Sequence, residues 1–299
     1  MQGGINGPNQ VQSLRAIGKY KHRHLITMGF MLGLLKELLL TRNESCTWIG
    51  LERGHIWGLV SAHMRLGPRT WEIDHIFHAT KRDANILELV DDIIADLGQC
   101  GVTRVFLRLP ELSPLIGSVS QSGFLIYKVE TLHYSPIASQ SISDQALPGL
   151  RARFPRDDHS LLRLYNASMP ARLRAFSGLT NEEWRDSRER FGKDTVELVY
   201  EYNSTLLAWL RFLDLGKSLL CEMLVPPEHG NLIPKLVAES TEIWKEKESI
   251  YWLTADHQPS LSLELRQRGF LSLGNYTVMV KPVAGLVKEP YLATVSGVI

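Results

Sequence analysis

Glu222 and His75 combine a residue type and a position suited to acid–base chemistry. Each lies in an apolar, strand-like run that precedes a loop and a helix, and Asp74 stands beside His75. A carboxylate or an imidazole in such a place can take a proton from a reacting group. The alternative is that each is a solvated or hydrogen-bonded strand residue, because functional tuning of a pKa leaves no mark in a sequence.

The histidines and cysteines of the chain do not form a metal-binding pattern. Four of the ten histidines are close together in sequence, namely His55, His63, His75 and His78. Strand alternation places His55 and His63 on one face, but no carboxylate or cysteine stands at a matching ligand spacing. The three cysteines are Cys46, Cys100 and Cys221. They are far apart in sequence, so we expect no metal, no disulfide and a reduced, cytoplasmic setting.

Composition argues against nucleic-acid and membrane partners. The chain has 33 Lys+Arg and 32 Asp+Glu, which gives no global attraction to a polyanion. The apolar segment Leu25 to Leu40 is shorter than the roughly 20 residues that cross a bilayer, and Lys36 and Glu37 interrupt it. We therefore predict a buried or amphipathic helix there. The basic residues before it are not followed by a small-residue cleavage pattern, which favours a cytoplasmic protein.

A long internal repeat indicates how the chain is divided. The block around Gly123-Phe124 recurs 146 residues later around Gly269-Phe270. Without a gap, Val105, Leu107, Leu115, Val119, Gln121, Leu132 and Pro136 match Tyr251, Leu253, Leu261, Leu265, Gln267, Val278 and Pro282. Solenoid repeats are only about 20 to 50 residues long, so this repeat predicts two domains. Their predicted ranges are 14–136 and 150–283, with a linker at 137–149 and a tail at 284–299.

Both halves show the same order of predicted elements. In the first half, two antiparallel strands precede a helix with apolar positions from Ile86 to Leu97, a further strand and a short helix. The two strands run from Gly54 to Met64 and from Trp71 to His78. The second half repeats this order after two helices, predicted at Leu161 to Ala167 and Glu182 to Arg190. A strand–helix–strand order implies a right-handed crossover with parallel pairing, so we predict an α+β fold with a mixed sheet.

This succession of elements, ending each time in Gly-Phe, resembles the GNAT superfamily of acyl-CoA-dependent N-acyltransferases. The resemblance covers most of both halves and implies two tandem GNAT-like domains, each a mostly antiparallel sheet flanked by helices. It also implies a cleft between two parted strands for the pantetheine arm of an acyl-CoA. The family commonly has a tyrosine, as general acid, four residues before Gly-Phe. Val119 and Leu265 occupy those positions here, and neither side chain can donate a proton.

The resemblance also implies a pyrophosphate-binding loop before the long helix, where glycines and free backbone N–H groups would contact phosphate. In the second half it implies cofactor contacts at Leu224, Val225, His229, Gly230, Asn231 and Leu232. Ile233 and Lys235 stand where the family has glycines, and Pro234 removes one donor N–H. In the first half Arg82 stands at the cation position, with Asp83 beside it. Both loops therefore depart from the family pattern.

Two functions are consistent with these residues. The first is an N-acyltransferase that moves an acyl group, acetyl in the simplest case, from acyl-CoA to a small-molecule or peptide amine, with the second half binding the cofactor. Glu222 or His75 would then be the base. The second is a catalytically inactive GNAT-like binding or scaffold protein, which the altered loops and absent tyrosines favour. Fold alone does not decide between them. A homodimer is left open beside a monomer.

Overall fold

The computed structural model describes residues 44–52, 55–78, 83–137, 147–178, 180–190, 192 and 195–283. Four regions named from the sequence lie outside these residues: the predicted helix over Leu25 to Leu40, Arg82, most of the linker, and the tail. Of the helices described, none is long and apolar enough to cross a membrane.

The described strands form a single 11-stranded sheet. In chain order they are β1 (Ser45–Glu52), β2 (His55–Met64), β3 (Thr70–His78), β4 (Arg104–Pro110), β5 (Leu125–Pro136), β6 (Leu150–Ala152), β7 (Thr195–Tyr202), β8 (Thr205–Asp214), β9 (Ser218–Leu224), β10 (Ser249–Ala255) and β11 (Leu271–Pro282). Their order across the sheet is β1-β2-β3-β4-β11-β5-β10-β9-β8-β7-β6. The N-terminal half supplies β1 to β5, and the C-terminal half supplies β6 to β11.

Helices cover both faces of the sheet. They are α1 (Asp83–Gln99), α2 (Leu115–Gln121), α3 (Asp158–Ser168), α4 (Ala171–Ser177), α5 (Asn181–Ser187), α6 (Ile233–Ile243) and α7 (Pro259–Gln267). Apolar stripes on α1 and α2 form one core with β2 to β4, and those on α6 and α7 form a second core with β8 to β10. Helices α3 and α5 pack on the other face, where Leu161 and Trp184 meet Val199 and Trp209.

Each half contains one parallel strand pair. β3 pairs with β4, and β9 pairs with β10, in the parallel sense that the intervening helices α1 and α6 predict. The flanking strands β1 to β3 and β7 to β9 form antiparallel meanders. The predicted mixed sheet is therefore confirmed in both halves.

The last strand of each half pairs with the other half. β11 lies between β4 and β5, and β5 lies between β11 and β10. At the centre Glu130 is opposite Tyr276, which is its own counterpart 146 residues later in the sequence. The halves are therefore related by an approximate two-fold axis through this pair, and each half completes the sheet of the other.

The gapless repeat alignment is wrong by one residue in β4 and β10. Val105 and Leu107 pack under α1 in the N-terminal core, whereas the residues matched to them, Tyr251 and Leu253, lie on the opposite face of the sheet. Ile250 and Trp252 occupy the equivalent core positions. Side chains alternate along a strand, so a shift of one residue reverses every face. The helix matches hold, because Leu115, Val119, Leu261 and Leu265 are all buried.

Other differences from the predicted elements are local. The edge strand β1 and the short helix α4 have no counterpart among the predicted elements. The helix predicted over Glu182 to Arg190 ends at Ser187, and the chain then leaves helical geometry at Arg188. These last residues pack against the N-terminal half, where the N–H of Leu66 donates to the carbonyl of Arg188 (3.2 Å). A tertiary contact, rather than helix propensity, fixes their conformation.

A buried cluster of charges joins the two halves beneath the exchanged strands. The guanidinium of Arg108 on β4 is fully buried and donates to Glu130 on β5 (2.9 Å). It also makes a two-bond contact with Glu189 of the C-terminal half (2.9 and 2.8 Å) and lies 3.4 Å from Glu72 on β3. Arg65 donates to the other oxygen of Glu72 (3.1 Å). One cation therefore connects three strands and both halves.

The carboxylates of this cluster respond differently to burial. Burial acts to raise the pKa of Glu189 and of Glu130, but Arg108 and the nearby Lys128 together outweigh it and hold both pKa values below their usual range. Burial, aided by the nearby charge of Glu189, raises the pKa of Glu72 instead. Glu189 and Glu130 therefore stabilise the folded state when they are ionised. Glu72 is the carboxylate of the cluster whose protonation the folded state favours.

We expect neither half to fold alone. A chain ending at residue 149 lacks β11, so β4 and β5 would each lose a neighbouring strand, with Val278 and Val280 gone from the core. Size-exclusion chromatography and circular dichroism should show an unfolded or aggregated fragment. Co-expression with residues 147–299 should yield a complex of both pieces. A cooperatively folded, monomeric N-terminal fragment would contradict the strand exchange.

We expect Arg108→Met to cost roughly 3–5 kcal/mol of unfolding free energy at pH 7.5, because it leaves buried carboxylates without their cation. In the wild type, the lowered pKa values of Glu189 and Glu130 stabilise the fold above the usual glutamate range, and this is lost as pH falls through their folded-state pKa values. Without Arg108 these groups can protonate, so the difference between variant and wild type should shrink towards pH 4. Urea unfolding at both pH values measures this, and an equal difference at both would disprove it.

Candidate functional site

In the C-terminal half, the parallel strands β9 and β10 are paired with each other over only part of their length. The pairing of β9 with β10 begins at Ser218 and Ser249 and ends at Cys221 and Trp252. Both strands continue without pairing to each other, β9 to Leu224 and β10 to Ala255. A cleft of about 110 Å³ opens at this point. A gap between adjacent strands exposes backbone polar groups, which require new partners.

Both halves line this cleft. The C-terminal half contributes residues of α3 and the residue after it, of β8, β9 and β10, and of the turn that follows β10. They are Tyr165, Met169, Trp209, Arg211, Glu222, Met223, Leu224, Leu253, Ala255, His257 and Gln258. The N-terminal half contributes three residues of β5, namely Tyr127, Lys128 and Glu130. The exchanged strand thus brings N-terminal side chains into a C-terminal cleft.

Glu222 is the first residue of β9 beyond the paired stretch, and its side chain lines the cleft. Arg211 on the neighbouring strand β8 forms a salt bridge to the Oε2 atom of Glu222. Arg211 also donates to the backbone carbonyl of Glu189 (3.0 Å), next to the Arg108 cluster. The carboxylate is therefore fixed in orientation, and its charge is balanced within the protein.

A second ion pair lies on β5, at the side of the cleft that the N-terminal half supplies. Lys128 contacts Glu130 at 2.5 Å, and the same carboxylate also accepts from Arg108. Burial acts to lower the pKa of Lys128, but Glu130 outweighs it and raises the pKa, so Lys128 is an ammonium at neutral pH. The two cations and two carboxylates that line the cleft balance each other. No net charge there attracts a charged group of a ligand.

Hydroxyl groups form one wall of the cleft. Tyr127 and Tyr165 are 2.9 Å apart between hydroxyl oxygens, and Tyr127 lies 2.9 Å from the hydroxyl of Ser177. Burial raises the pKa of Tyr165 well above its ordinary value, so this phenol keeps its proton. The wall can donate hydrogen bonds but supplies no phenolate base.

His257 and Gln258 stand where the cleft meets the end of β10. Burial, followed by the charge of Lys128, lowers the pKa of His257 to about 4, so the imidazole is neutral at pH 7. The side-chain amide of Gln258 donates to the carbonyl of Met223 on β9 (2.9 Å). This side chain bridges the gap between the two strands and gives Met223 the partner that β10 no longer provides.

The loop predicted to hold pyrophosphate follows β9 directly. Leu224 lines the cleft, Val225 is buried in the core, and Pro227–Leu232 form a 3-10 turn that leads into α6. His229, Gly230, Asn231 and Leu232 all lie in this turn. His229 lines a separate cavity of about 180 Å³ between the turn and α3. The structure therefore brings Glu222 and Leu224 together in the cleft and places the turn residues beyond its end.

The N-terminal half has a similar end to its parallel pairing, but a buried charged residue stands at that point. The pairing of β3 with β4 ends at Ile73 and Leu107. The next residue on β4 is the buried Arg108 with its carboxylates, whereas the next residue on β10 is Leu253. The equivalent position is thus charged in one half and apolar in the other. The cleft of the C-terminal half is the better candidate for a ligand.

The two predicted bases are not equivalent in position. Asp74, not His75, follows the paired stretch in β3 as Glu222 does in β9. Asp74 lies 2.7 Å from Nδ1 of His63, and Nδ1 of His75 lies 3.1 Å from the hydroxyl of Ser61. A bulge in β3 next to His75 accounts for the difference. His75 is therefore far in sequence and strand order from the cleft that contains Glu222.

Sequence reasoning missed seven cleft residues of evident chemical capacity, namely Tyr127, Lys128, Glu130, Tyr165, Arg211, His257 and Gln258. The position of His257 and Gln258, just after a predicted strand in the same half, was a usable signal. The β5 residues gave none, because only the strand exchange brings them here. Within the described residues, no group of three or more His, Cys, Asp or Glu is placed to hold a metal ion.

Comparison with known proteins gives a match at the level of structure alone. No protein-family model and no curated protein sequence matches the chain. A GCN5-related N-acetyltransferase from Sphaerobacter thermophilus superposes with a TM-score of 0.52 at 10% identity, covering 85% of this chain and 86% of its own. A tandem GNAT protein from the clavulanic acid biosynthesis pathway gives 0.50 at 12% identity, covering 84% and 87%.

A conserved protein of unknown function from Staphylococcus epidermidis gives a TM-score of 0.56 at 11% identity, covering 83% of this chain and 98% of its own. Each of these similarities covers more than four fifths of this chain and therefore extends over both halves. At such low identity they establish the fold and leave the activity open. The chain has the GNAT fold, built as two copies in tandem.

Proposed function

We propose that the C-terminal half transfers an acyl group from an acyl-CoA to an amine, as an N-acyltransferase. The observation that carries this proposal is the cleft between β9 and β10, which is open and lined by Glu222, while the position of Leu253 is taken in the N-terminal half by the buried Arg108 and its carboxylates. The fold supports it, because the similar structures include a GCN5-related N-acetyltransferase and a tandem GNAT protein.

The cleft fits the reactive end of an acyl-CoA. It has a volume of about 110 Å³ and lies where β9 and β10 are no longer paired. Met169, Met223 and Leu253 give it apolar walls for the thioester. The unpaired edge of β9 offers backbone groups to the amides of the pantetheine arm.

The turn before α6, where the pyrophosphate of an acyl-CoA would bind, fits that ligand less closely than the cleft does. Gly230 gives the turn a position without a side chain, and Arg268 donates to the carbonyl of Pro234 (2.9 Å), which places a cation at the start of α6. Against these, Glu228 adds a negative charge, and Pro234 lacks one N–H in the first helical turn. Arg268, which is also in a salt bridge with Glu264, would have to exchange that partner for phosphate to replace the backbone N–H groups of the family's glycine-rich loop.

Acyl transfer requires that the amine nitrogen form a bond to the thioester carbonyl carbon and lose a proton, and that the carbon–sulfur bond break to release the coenzyme A thiolate, which takes a proton from water. Glu222 is the group proposed to take the proton, because it is the cleft carboxylate on the edge of the opened strand. Arg211 holds Oε2 in place, and a carboxylate has a second oxygen to accept with. At neutral pH His257 can hydrogen-bond to substrate, but its pKa of about 4 leaves no imidazolium to supply a proton.

The acceptor is proposed to be a small-molecule or peptide amine. Because the ion pairs Lys128–Glu130 and Arg211–Glu222 already balance the charges of the cleft, recognition of the acceptor would rest on the tyrosine wall and on shape. The expected absence of nucleic-acid and membrane partners, and the open question of a homodimer, stay predictions from the sequence.

A binding or scaffold role is the second candidate. The Gln258 bond to Met223 favours it, because this side chain already occupies a backbone group on the edge that a pantetheine arm would use. The absence of a tyrosine at Leu265, which is buried in the core, favours it as well. Isothermal titration with acetyl-CoA separates the two: no heat and no thermal stabilisation at millimolar ligand would exclude the acyltransferase.

We expect Gly230→Asp to weaken acetyl-CoA binding at least about tenfold, which corresponds to about 1.4 kcal/mol. The added carboxylate would repel the pyrophosphate, while the fold tolerates it, because a Cβ at Gly230 would lie 3.7 Å from its nearest neighbour, the Ser260 hydroxyl. Gly117→Asp is the matched control, since a Cβ there meets no atom within 4 Å and the site is in the other half. Equal titration curves for both variants would place the phosphates elsewhere.

We expect Glu222→Gln to slow amine-dependent thiol release from acetyl-CoA by about 100-fold, the usual size of a general-base effect. Glutamine can still accept from Arg211, so acetyl-CoA affinity should change little, but the melting temperature should fall because the largely buried Arg211 loses its charge partner. His75→Gln in the N-terminal half should retain the wild-type rate. The assay uses a panel of primary amines with a thiol-reactive dye. A wild-type rate in the Glu222 variant would remove this residue from the reaction.

A further inference from the structure

Two cysteines that are far apart in sequence meet at the edge of the N-terminal half. Cys46 is the second residue of the edge strand β1, and Cys100 follows the last residue of α1. Both are exposed, whereas the third cysteine, Cys221, is fully buried in the C-terminal core. Both exposed thiols stand at the ends of their elements, where the backbone can adjust more easily than in a packed core.

A hydrogen bond between two side chains fixes the position of β1 along the length of α1. The indole N–H of Trp48 donates to Asp96 on α1 (2.9 Å). Cys46 lies on the same strand face as Trp48, because side chains alternate with a period of two. Cys100 lies on the same helix face as Asp96, because residues four apart are stacked one turn from each other. Cys46 and Cys100 are thus the residues next to Trp48 and Asp96 on the same faces of β1 and α1.

The directions of the two elements bring the thiols to one level. β1 runs antiparallel to β2, and β2 antiparallel to β3, so β1 is parallel to β3. Helix α1 returns from the end of β3 to the start of the parallel strand β4, so it runs opposite to β1. Going back from Trp48 to Cys46 covers about 7 Å, and going on from Asp96 to Cys100 covers about 6 Å in the same direction.

We propose that Cys46 and Cys100 form a redox-responsive pair, which an oxidising low-molecular-weight disulfide converts reversibly into a disulfide that ties the edge strand β1 to α1. The electrostatics of Cys46 also reflect the nearness of Cys100. Burial raises the pKa of Cys46 most, and the neighbouring Cys100 raises it further. This inference does not depend on the proposed acyltransferase activity.

The reaction with glutathione disulfide balances in two exchanges. One protein thiolate attacks a sulfur of glutathione disulfide and releases one glutathione thiolate, leaving a mixed disulfide on the protein. The second protein thiolate then attacks the protein sulfur of that mixed disulfide and releases the second glutathione. Two protein thiols are oxidised, and one glutathione disulfide is reduced to two glutathiones. Because the raised pKa of Cys46 keeps its thiolate scarce near neutrality, ring closure should accelerate as pH rises.

The test uses the full chain, incubated with glutathione disulfide at pH 7.5 and 8.5 and then analysed by intact mass and by non-reducing peptide mapping. We expect the wild type to lose two hydrogens and to yield one crosslinked peptide containing Cys46 and Cys100, faster at the higher pH. Cys46→Ser and Cys100→Ser should each stop at one glutathione adduct. Cys221→Ser should behave as the wild type.

Thermal unfolding adds a second readout. The crosslinked form should melt several degrees higher than the same sample after reduction, and the Cys100→Ser variant should show no such difference. Wild-type protein that carries two glutathione adducts, or that keeps both thiols open to alkylation after oxidation, would overturn the proposal. A crosslink that involves Cys221 instead would overturn it as well.

Discussion

The buried guanidinium of Arg108 is the interaction on which the arrangement of this protein depends. It is completely removed from solvent and is held by Glu72, Glu130 and Glu189, from β3, β5 and the C-terminal half. A buried ion cluster is not by itself a source of stability, because desolvation offsets much of its attraction. It does impose a geometry: each carboxylate must reach one cation, so the two halves can combine in few ways.

The same cluster separates the roles of two similar halves. In the N-terminal half Arg108 directly follows the paired part of β4, whereas the apolar residue Leu253 follows the paired part of β10 and lines the cleft of the C-terminal half. Glu130 extends the cluster into the C-terminal cleft through its bond to Lys128. Duplication and strand exchange have thus produced a buried charge cluster in one half and, in the other, an open cleft built from residues of both halves.

Much of the fold was predictable from the sequence, because it depends on local patterns. The helix periodicity from Ile86 to Leu97, the meander strands and the repeated Gly-Phe turn all predicted elements that the structure contains. The order of strands in a sheet is not a local property, so the exchange of β5 and β11 left no signal in the sequence. The one-residue error in aligning β4 with β10 was hidden because β10 has apolar residues on both faces of the sheet. Of the cleft, Glu222 and Leu224 were found, but Tyr127 and Lys128 enter only through the exchanged strand.

The central claim is that an acyl-CoA binds between β9 and β10 and not in the N-terminal half. Hydrogen exchange of the full chain with and without acetyl-CoA, followed by mass spectrometry, tests it most directly, because backbone amides report where the ligand lies. The account predicts slowed exchange in residues 222–225 and 253–258, with residues 74–78 unchanged. Slowed exchange confined to residues 74–78, or no change anywhere at saturating acetyl-CoA, would contradict it.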